Sequence, residues 1–107
     1  MKILLICGGG ASTGFLVNAM IKSAKNKGID ADIKARSESQ LSSLIDDVDV
    51  VLGAPHMRAQ EAKFKEICGS HHKPYAFIDP IDYANMEGEK VLTYAIKLLN
   101  EKKTEVK

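Results

Sequence analysis

Four strand-like segments alternate with helix-like segments along this chain of 107 residues. The strand-like runs cover residues 3–7, 29–35, 48–52 and 74–78, and the first is apolar throughout, as in a strand covered on both faces. Apolar residues at helical spacing cover residues 15–27, 41–45, 58–68 and 87–102. Because strands joined by helices run parallel, this order predicts a single α/β domain. It is a four-stranded parallel sheet, strand order 2-1-3-4, with helices on both faces.

Local signals mark where some of these segments begin and end. Ser37 and Gln40 have the spacing of a capping box for the short second helix, and Asp79-Pro80 ends the fourth strand. The domain is predicted to span residues 1–102. Residues 103–107 form a polar C-terminal tail that we expect to fray.

The composition narrows the functional classes. The chain has fifteen Lys and Arg residues and fourteen Asp and Glu residues. This charge balance gives no support for a nucleic-acid or membrane-surface partner. The two cysteines, Cys7 and Cys68, are too few for a disulfide scaffold and fit no zinc spacing, so we predict no metal and no cofactor. The apolar start is shorter than the roughly 7–15 residues of a signal-peptide core. We therefore expect a cytoplasmic, monomeric protein with reduced thiols and no membrane insertion.

The glycine-rich stretch between the first strand and the first helix carries the strongest signal: Cys7-Gly8-Gly9-Gly10-Ala11-Ser12-Thr13-Gly14. In a sheet of this order it lies at the carboxyl edge between strands 1 and 3, where ligands bind. The glycines lack Cβ atoms, so main-chain amides can converge on an anion, aided by the helix N-terminus and the Ser12 and Thr13 hydroxyls. We predict that this phosphate-binding loop, called the cup below, holds a phosphoryl group. The same field favours Cys7 as a thiolate nucleophile.

Other interpretations of the cup stay open at this point. A cysteine that ends a buried strand can be a packing residue. The cup lacks the Gly-Lys-Ser/Thr of a P-loop NTPase. It also lacks a complete Gly-x-Gly-x-x-Gly, because the position three residues after Gly10, where the last glycine belongs, is Thr13. A module that binds a partner or a nucleotide, with Cys7 only packed, therefore remains an alternative.

The cup also resembles the loop of the low-molecular-weight protein tyrosine phosphatases. Those enzymes need an arginine six residues after the cysteine, and Thr13 occupies that position here. The Asp79-Pro80 pair resembles their general-acid loop, but Asp-Pro is also common in turns and at helix starts, and we favour the turn. Without the arginine a phosphocysteine should hydrolyse slowly, as a carrier requires. A phosphatase is the second alternative.

Four segments carry a resemblance over nearly the whole chain. They are Lys2 to Cys7, the Cys-x-x-Gly-x-Ser-Thr pattern of residues 7–13, Val50 to Pro55, and Ile78 to Tyr83 leading into Met86 to Leu92. Together they resemble enzyme IIB of the lactose/cellobiose/chitobiose class of the bacterial phosphoenolpyruvate-dependent sugar phosphotransferase system. Two positions depart from the usual pattern of that family, because Ala11 replaces a Met and Gly14 replaces a Ser.

The resemblance implies a role for Cys7. It would accept a phosphoryl group from a histidine of a IIA phosphodonor protein, forming a phosphocysteine. It would then transfer the group to a sugar, expected to be a β-linked disaccharide, bound by a membrane IIC permease. The chain would thus act as a protein-phosphocysteine–sugar phosphotransferase, and residues Gly8 to Gly14 would hold the phosphoryl oxygens.

Residues from neighbouring loops are expected near the cup. Candidates to lie beside it are Pro55, His56, Asp79 and Tyr83, and candidates for a partner surface are Phe15, Leu16, Pro55, His56, Met57 and Arg58. We expect Leu16 to belong to the core instead. His71-His72 is interpreted as a solvated turn, Cys68 as a packed helix residue, and the aspartates at 46, 47 and 49 as a helix end and turn.

Overall fold

The computed structural model describes residues 1–7 and 12–105, with the backbone alone for residue 12 and residues 102–105. Four strands form one parallel sheet in the order β2-β1-β3-β4. They are β1 (Lys2–Cys7), β2 (Asp32–Ser37), β3 (Val50–Gly53) and β4 (Tyr75–Phe77). The predicted fold class and strand order are confirmed.

Within the described residues, five α-helices connect or follow the strands. They are α1 (Ser12–Lys27), α2 (Leu41–Leu44), α3 (Glu61–Ser70), α4 (Pro80–Ala84) and α5 (Gly88–Glu105). Three short 3₁₀ helices cover Glu38–Gln40, Ile45–Asp47 and Pro55–Gln60. The continuous apolar run of β1 is explained by its central position, since the sheet is covered on both faces.

The two faces of the sheet bury separate hydrophobic clusters. Ile3 and Leu5 of β1 face a cluster shared with α1 and α5, whereas Leu4 and Ile6 face a cluster shared with α2 and α3. Phe64 of α3 is fully buried in the second cluster. Both layers are needed to hold β1 rigidly, and β1 ends at the cup.

The structure differs from the sequence-based expectations at the helix ends. The predicted capping box is wrong: the Ser37 hydroxyl contacts the Ser39 hydroxyl at 2.9 Å and caps no helix, because a 3₁₀ turn separates β2 from α2. The third helix was expected from residue 58, but Pro55–Gln60 forms a 3₁₀ segment and α3 begins only at Glu61. Helix α5 continues through residues 103–105 of the predicted tail, since no glycine or proline stops it.

Candidate functional site

Cys7 is the last residue of β1, at the carboxyl edge of the sheet. Strand β1 lies between β2 and β3, so the edges of both neighbours flank the cysteine. Its side chain is only 5% exposed, and its Sγ lies 3.9 Å from the main-chain oxygen of Arg36 in β2. The thiol therefore donates a weak hydrogen bond to the edge strand. The sequence did not single out Arg36, but the strand order places the end of β2 beside Cys7.

The last three residues of the cup belong to the first turn of α1. The predicted phosphoryl-binding residues Gly8, Gly9, Gly10 and Ala11 lie outside the described residues, and Ser12, Thr13 and Gly14 form the start of α1. The first N–H groups of a helix have no partner within it, and they carry the positive end of its dipole. The first turn of α1 holds no acidic residue. The chain thus leads from Cys7, across four residues, to a helix end suited to an anion.

Thr13 is the buried polar residue of this turn. It is 0% exposed, and its hydroxyl oxygen lies 2.9 Å from the hydroxyl oxygen of Tyr83 in α4. This hydrogen bond joins the start of α1 to the loop after β4. Tyr83, which the sequence suggests as a neighbour of the cup, contacts Thr13 by this bond.

Asp79 and Pro80 begin α4. The Asp79 carboxylate accepts hydrogen bonds from the main-chain N–H groups of Ile81, at 2.8 Å, and Asp82, at 3.3 Å, and Pro80 occupies the first turn. This is an N-cap, with the proline at a position that needs no N–H donor. Asp79-Pro80 is therefore a helix start and not the turn that we favoured from the sequence. The Asp79 carboxylate is therefore held in place by the two N–H groups at the start of α4.

His56 and Pro55 come from the segment after β3. The His56 ring lies edge-on to the Tyr83 ring, with centroids 6.0 Å apart and planes at 65°. Pro55 begins the 3₁₀ helix that carries His56. Tyr83 therefore contacts side chains from the loops after β1 and after β3.

The predicted partner surface is partly wrong. Leu16 is 0% exposed and Met57 is 5% exposed, and each belongs to one of the two hydrophobic clusters. Phe15, in contrast, is 66% exposed, and so is the unpredicted Ile81 at 69%. Arg58 is exposed and stacks over Phe77 at 5.6 Å from the ring centre. Leu16 points inward because helical periodicity places it on the apolar face of α1, as already expected, whereas Met57 packs into the second cluster from the 3₁₀ segment.

Cys68 and the remaining histidines lie apart from the cup. Cys68 is buried in α3, and burial raises the pKa of its thiol to about 11, which keeps it protonated and a poor nucleophile. The His71 ring nitrogen Nδ1 lies 2.8 Å from Asp46, and His72 occupies a turn with φ of 59°. Among the residues described, no group of three or more His, Cys, Asp or Glu side chains is placed to hold a metal ion.

None of the helices in the described part of the chain is both long and apolar enough for a membrane span.

Comparison with known proteins assigns the chain to a family. The family model "PTS system, Lactose/Cellobiose specific IIB subunit" matches residues 2–94. The cellobiose-specific EIIB component of Lactococcus lactis subsp. lactis is 36% identical over 106 residues, which cover 92% of this chain and 95% of that protein. The solution structure of the cellobiose-specific phosphotransferase IIB component protein from Borrelia burgdorferi has a TM-score of 0.82 at 46% identity. The match covers 95% of this chain and 94% of that one.

A longer relative shows the same stretch within a larger protein. The lactose-specific EIICB component of Lacticaseibacillus casei is 35% identical over 67 residues, which are 63% of this chain but only 12% of that protein. The family model and the relatives of matching length agree with the fold and with the resemblance of its motifs. The chain therefore belongs to the lactose/cellobiose-specific IIB subunits of the sugar phosphotransferase system.

Proposed function

We propose that this chain is a phosphoryl carrier that accepts a phosphoryl group on Cys7 from a histidine of a IIA protein and transfers it to a sugar bound by a membrane IIC permease. The observation that carries the proposal is the position of Cys7 at the end of the strand that leads into the N-terminus of α1. A thiolate and an anion-binding helix end are the two parts that phosphocysteine chemistry needs. This role implies a cytoplasmic location.

The transfer is a pair of balanced displacements. In the first, the Cys7 thiol loses its proton and the thiolate Sγ attacks the phosphorus of the phosphohistidine: the S–P bond forms, the N–P bond breaks, and the imidazole nitrogen keeps the electron pair and takes up the proton that the thiol released. In the second, a sugar hydroxyl oxygen attacks: the O–P bond forms, the S–P bond breaks, and the hydroxyl proton restores the thiol. The contact of Sγ with the Arg36 oxygen must be lost on loading, because a phosphorylated sulfur has no proton to donate.

Two features favour a carrier over a phosphatase. The position of the phosphatase arginine is held by Thr13, which pairs with a neutral tyrosine hydroxyl, so no guanidinium from this position stabilises the transition state of hydrolysis. The Asp79 carboxylate is committed to capping α4. With the low exposure of Cys7, these features support a phosphocysteine that persists long enough to be passed on.

The surface around the cup supports docking of partner proteins. Phe15 in α1 and Ile81 in α4 are exposed, and the Thr13–Tyr83 hydrogen bond joins these two helices. Arg58 adds an exposed cation on the segment after β3. Exposed apolar side chains together with polar and charged ones are typical of protein interfaces. We propose that the IIA protein docks here.

The test is phosphorylation with labelled phosphoenolpyruvate, the general transfer proteins and a IIA protein of the lactose/cellobiose class. The wild type and the control variant Cys68→Ala should take up one label per chain, whereas Cys7→Ser should take up none. Equal labelling of Cys7→Ser would overturn the proposal. Appreciable turnover of an aryl phosphate by the wild type would favour the phosphatase alternative instead.

A further inference from the structure

The hydroxyl of Thr13 is held in a place that water does not reach. Thr13 is the one fully buried polar side chain among the described residues, and its hydroxyl pairs with Tyr83 at 2.9 Å. Burying a hydroxyl without a hydrogen-bond partner lowers the stability of the fold. The Tyr83 hydroxyl therefore stabilises the buried position of the Thr13 side chain. Thr13 itself is the second residue of α1, next to the helix end that faces the cup.

Tyr83 is held by its own main chain and by a neighbouring loop. Its N–H donates to the Asp79 oxygen at 2.9 Å, within the helix turn that the Asp79 carboxylate caps. Its ring lies against the edge of His56. The tyrosine hydroxyl is therefore presented from a short, capped helix with little freedom to move.

We propose that Tyr83 is a positioning residue for phosphoryl transfer, which holds the Thr13 turn of α1 in the geometry that receives the phosphoryl group of Cys7. The inference rests on the proposed function. The hydrogen bond between the two hydroxyls ties the second residue of α1 to α4, so the position of the Thr13 turn depends on where α4 holds the tyrosine.

The Thr13 and Tyr83 hydroxyls occupy the place where the phosphatases use an arginine, and they bring no guanidinium to it. A guanidinium would stabilise the transferring group strongly for every acceptor, water included. Two coupled hydroxyls orient the turn without adding a charge. Loss of the Tyr83 hydroxyl should therefore slow transfer modestly rather than abolish it.

The test compares Tyr83→Phe, Thr13→Val and the double variant in rapid-quench loading from a phosphorylated IIA protein of the lactose/cellobiose class. Removing one hydrogen bond of this kind corresponds to a rate change of about three- to tenfold. We expect each single variant to lower the maximal loading rate by about that factor with KM for the IIA protein unchanged. The double variant should be no slower than the slower single variant, because the two hydroxyls act as one unit.

Tyr75→Phe is the matched control. The Tyr75 hydroxyl is also buried but has no hydrogen-bond partner, so its removal should leave loading unchanged. Multiplying effects in the double variant, an unchanged rate in Tyr83→Phe, or a rise in KM alone would each overturn the inference. A rate loss no larger than the loss of folded protein, measured by circular dichroism, would overturn it as well. Absence of label on wild-type Cys7 would instead show that the proposed function has failed.

Discussion

Gly53 ends strand β3 in a space that the Tyr75 side chain already occupies. A Cβ atom added at Gly53 would overlap the Tyr75 hydroxyl, lie 3.1 Å from the Cζ of the same ring and lie 3.2 Å from Cδ1 of Phe77. Gly53 does not have a positive φ, so alanine is allowed by its backbone. Any penalty for Gly53→Ala therefore comes from packing.

The size of the penalty follows from opposing effects. Overpacking a core costs about 1–3 kcal/mol, because buried rings cannot move aside freely. Replacing glycine by alanine also raises the free energy of unfolding by about 0.4–1 kcal/mol, because alanine lowers the conformational entropy of the unfolded chain. We expect Gly53→Ala to lower the free energy of unfolding by about 1–2 kcal/mol.

Tyr75→Phe should relieve most of this penalty. The tyrosine hydroxyl makes the worst overlap, and it has no hydrogen-bond partner, so its removal alone should be neutral or raise stability by up to about 1 kcal/mol. In the Tyr75→Phe background Gly53→Ala should therefore cost less than about 0.5 kcal/mol. The double-mutant cycle should give a coupling energy of about 1 kcal/mol or more.

Urea unfolding of the four proteins measures this cycle, provided that the slope m stays constant. Gly69→Ala in α3 is a control, because its added Cβ would meet nothing within 4 Å and should raise stability slightly. An equal cost of Gly53→Ala in both backgrounds would refute the reasoning. So would a Gly53→Ala variant as stable as the wild type.

Two further predictions concern stability. Because burial raises the pKa of Cys68 from 9.0 to about 11, the native state keeps its proton while the unfolded chain loses it. The contribution of Cys68 to the free energy of unfolding is therefore complete below pH 9 and falls by up to about 3 kcal/mol as the pH rises to 11. The unfolding free energy of Cys68→Ala should decline less steeply over that range. Parallel curves of unfolding free energy against pH for the two proteins would contradict this. At Gly88, an added Cβ would lie 2.5 Å from the main-chain carbon of Ala19 in α1. Gly88→Ala should therefore force α5 away from α1 and lower the free energy of unfolding by about 1–3 kcal/mol. A variant as stable as the wild type would show that the helices separate freely.

The order of strands and helices followed from the sequence because it depends on short-range patterns. The apolar run of β1 and the helical spacing in α1 and α5 are visible in consecutive residues, and parallel connections leave few possible sheet orders. The prediction that Cys7 is the reactive residue also rests on local sequence, since a cysteine between a buried strand and a glycine-rich turn is a local arrangement. Asp79-Pro80 also carries a local signal, but that signal suits both a turn and a helix start, and the favoured turn was wrong.

Contacts between distant parts of the chain were decided only by the tertiary structure. The Thr13–Tyr83 bond joins residues 70 positions apart, and the contact of Cys7 with Arg36 spans 29. The same applies to the exposure of Ile81 and the burial of Met57, because a short helix can turn either face inward. No local pattern specifies such pairs, since they depend on how two packed layers bring separate loops to one edge of the sheet. The sequence alone thus predicted the order of the sheet and the place of Cys7 at the end of β1, and only the packing of distant elements decided which side chains lie near it.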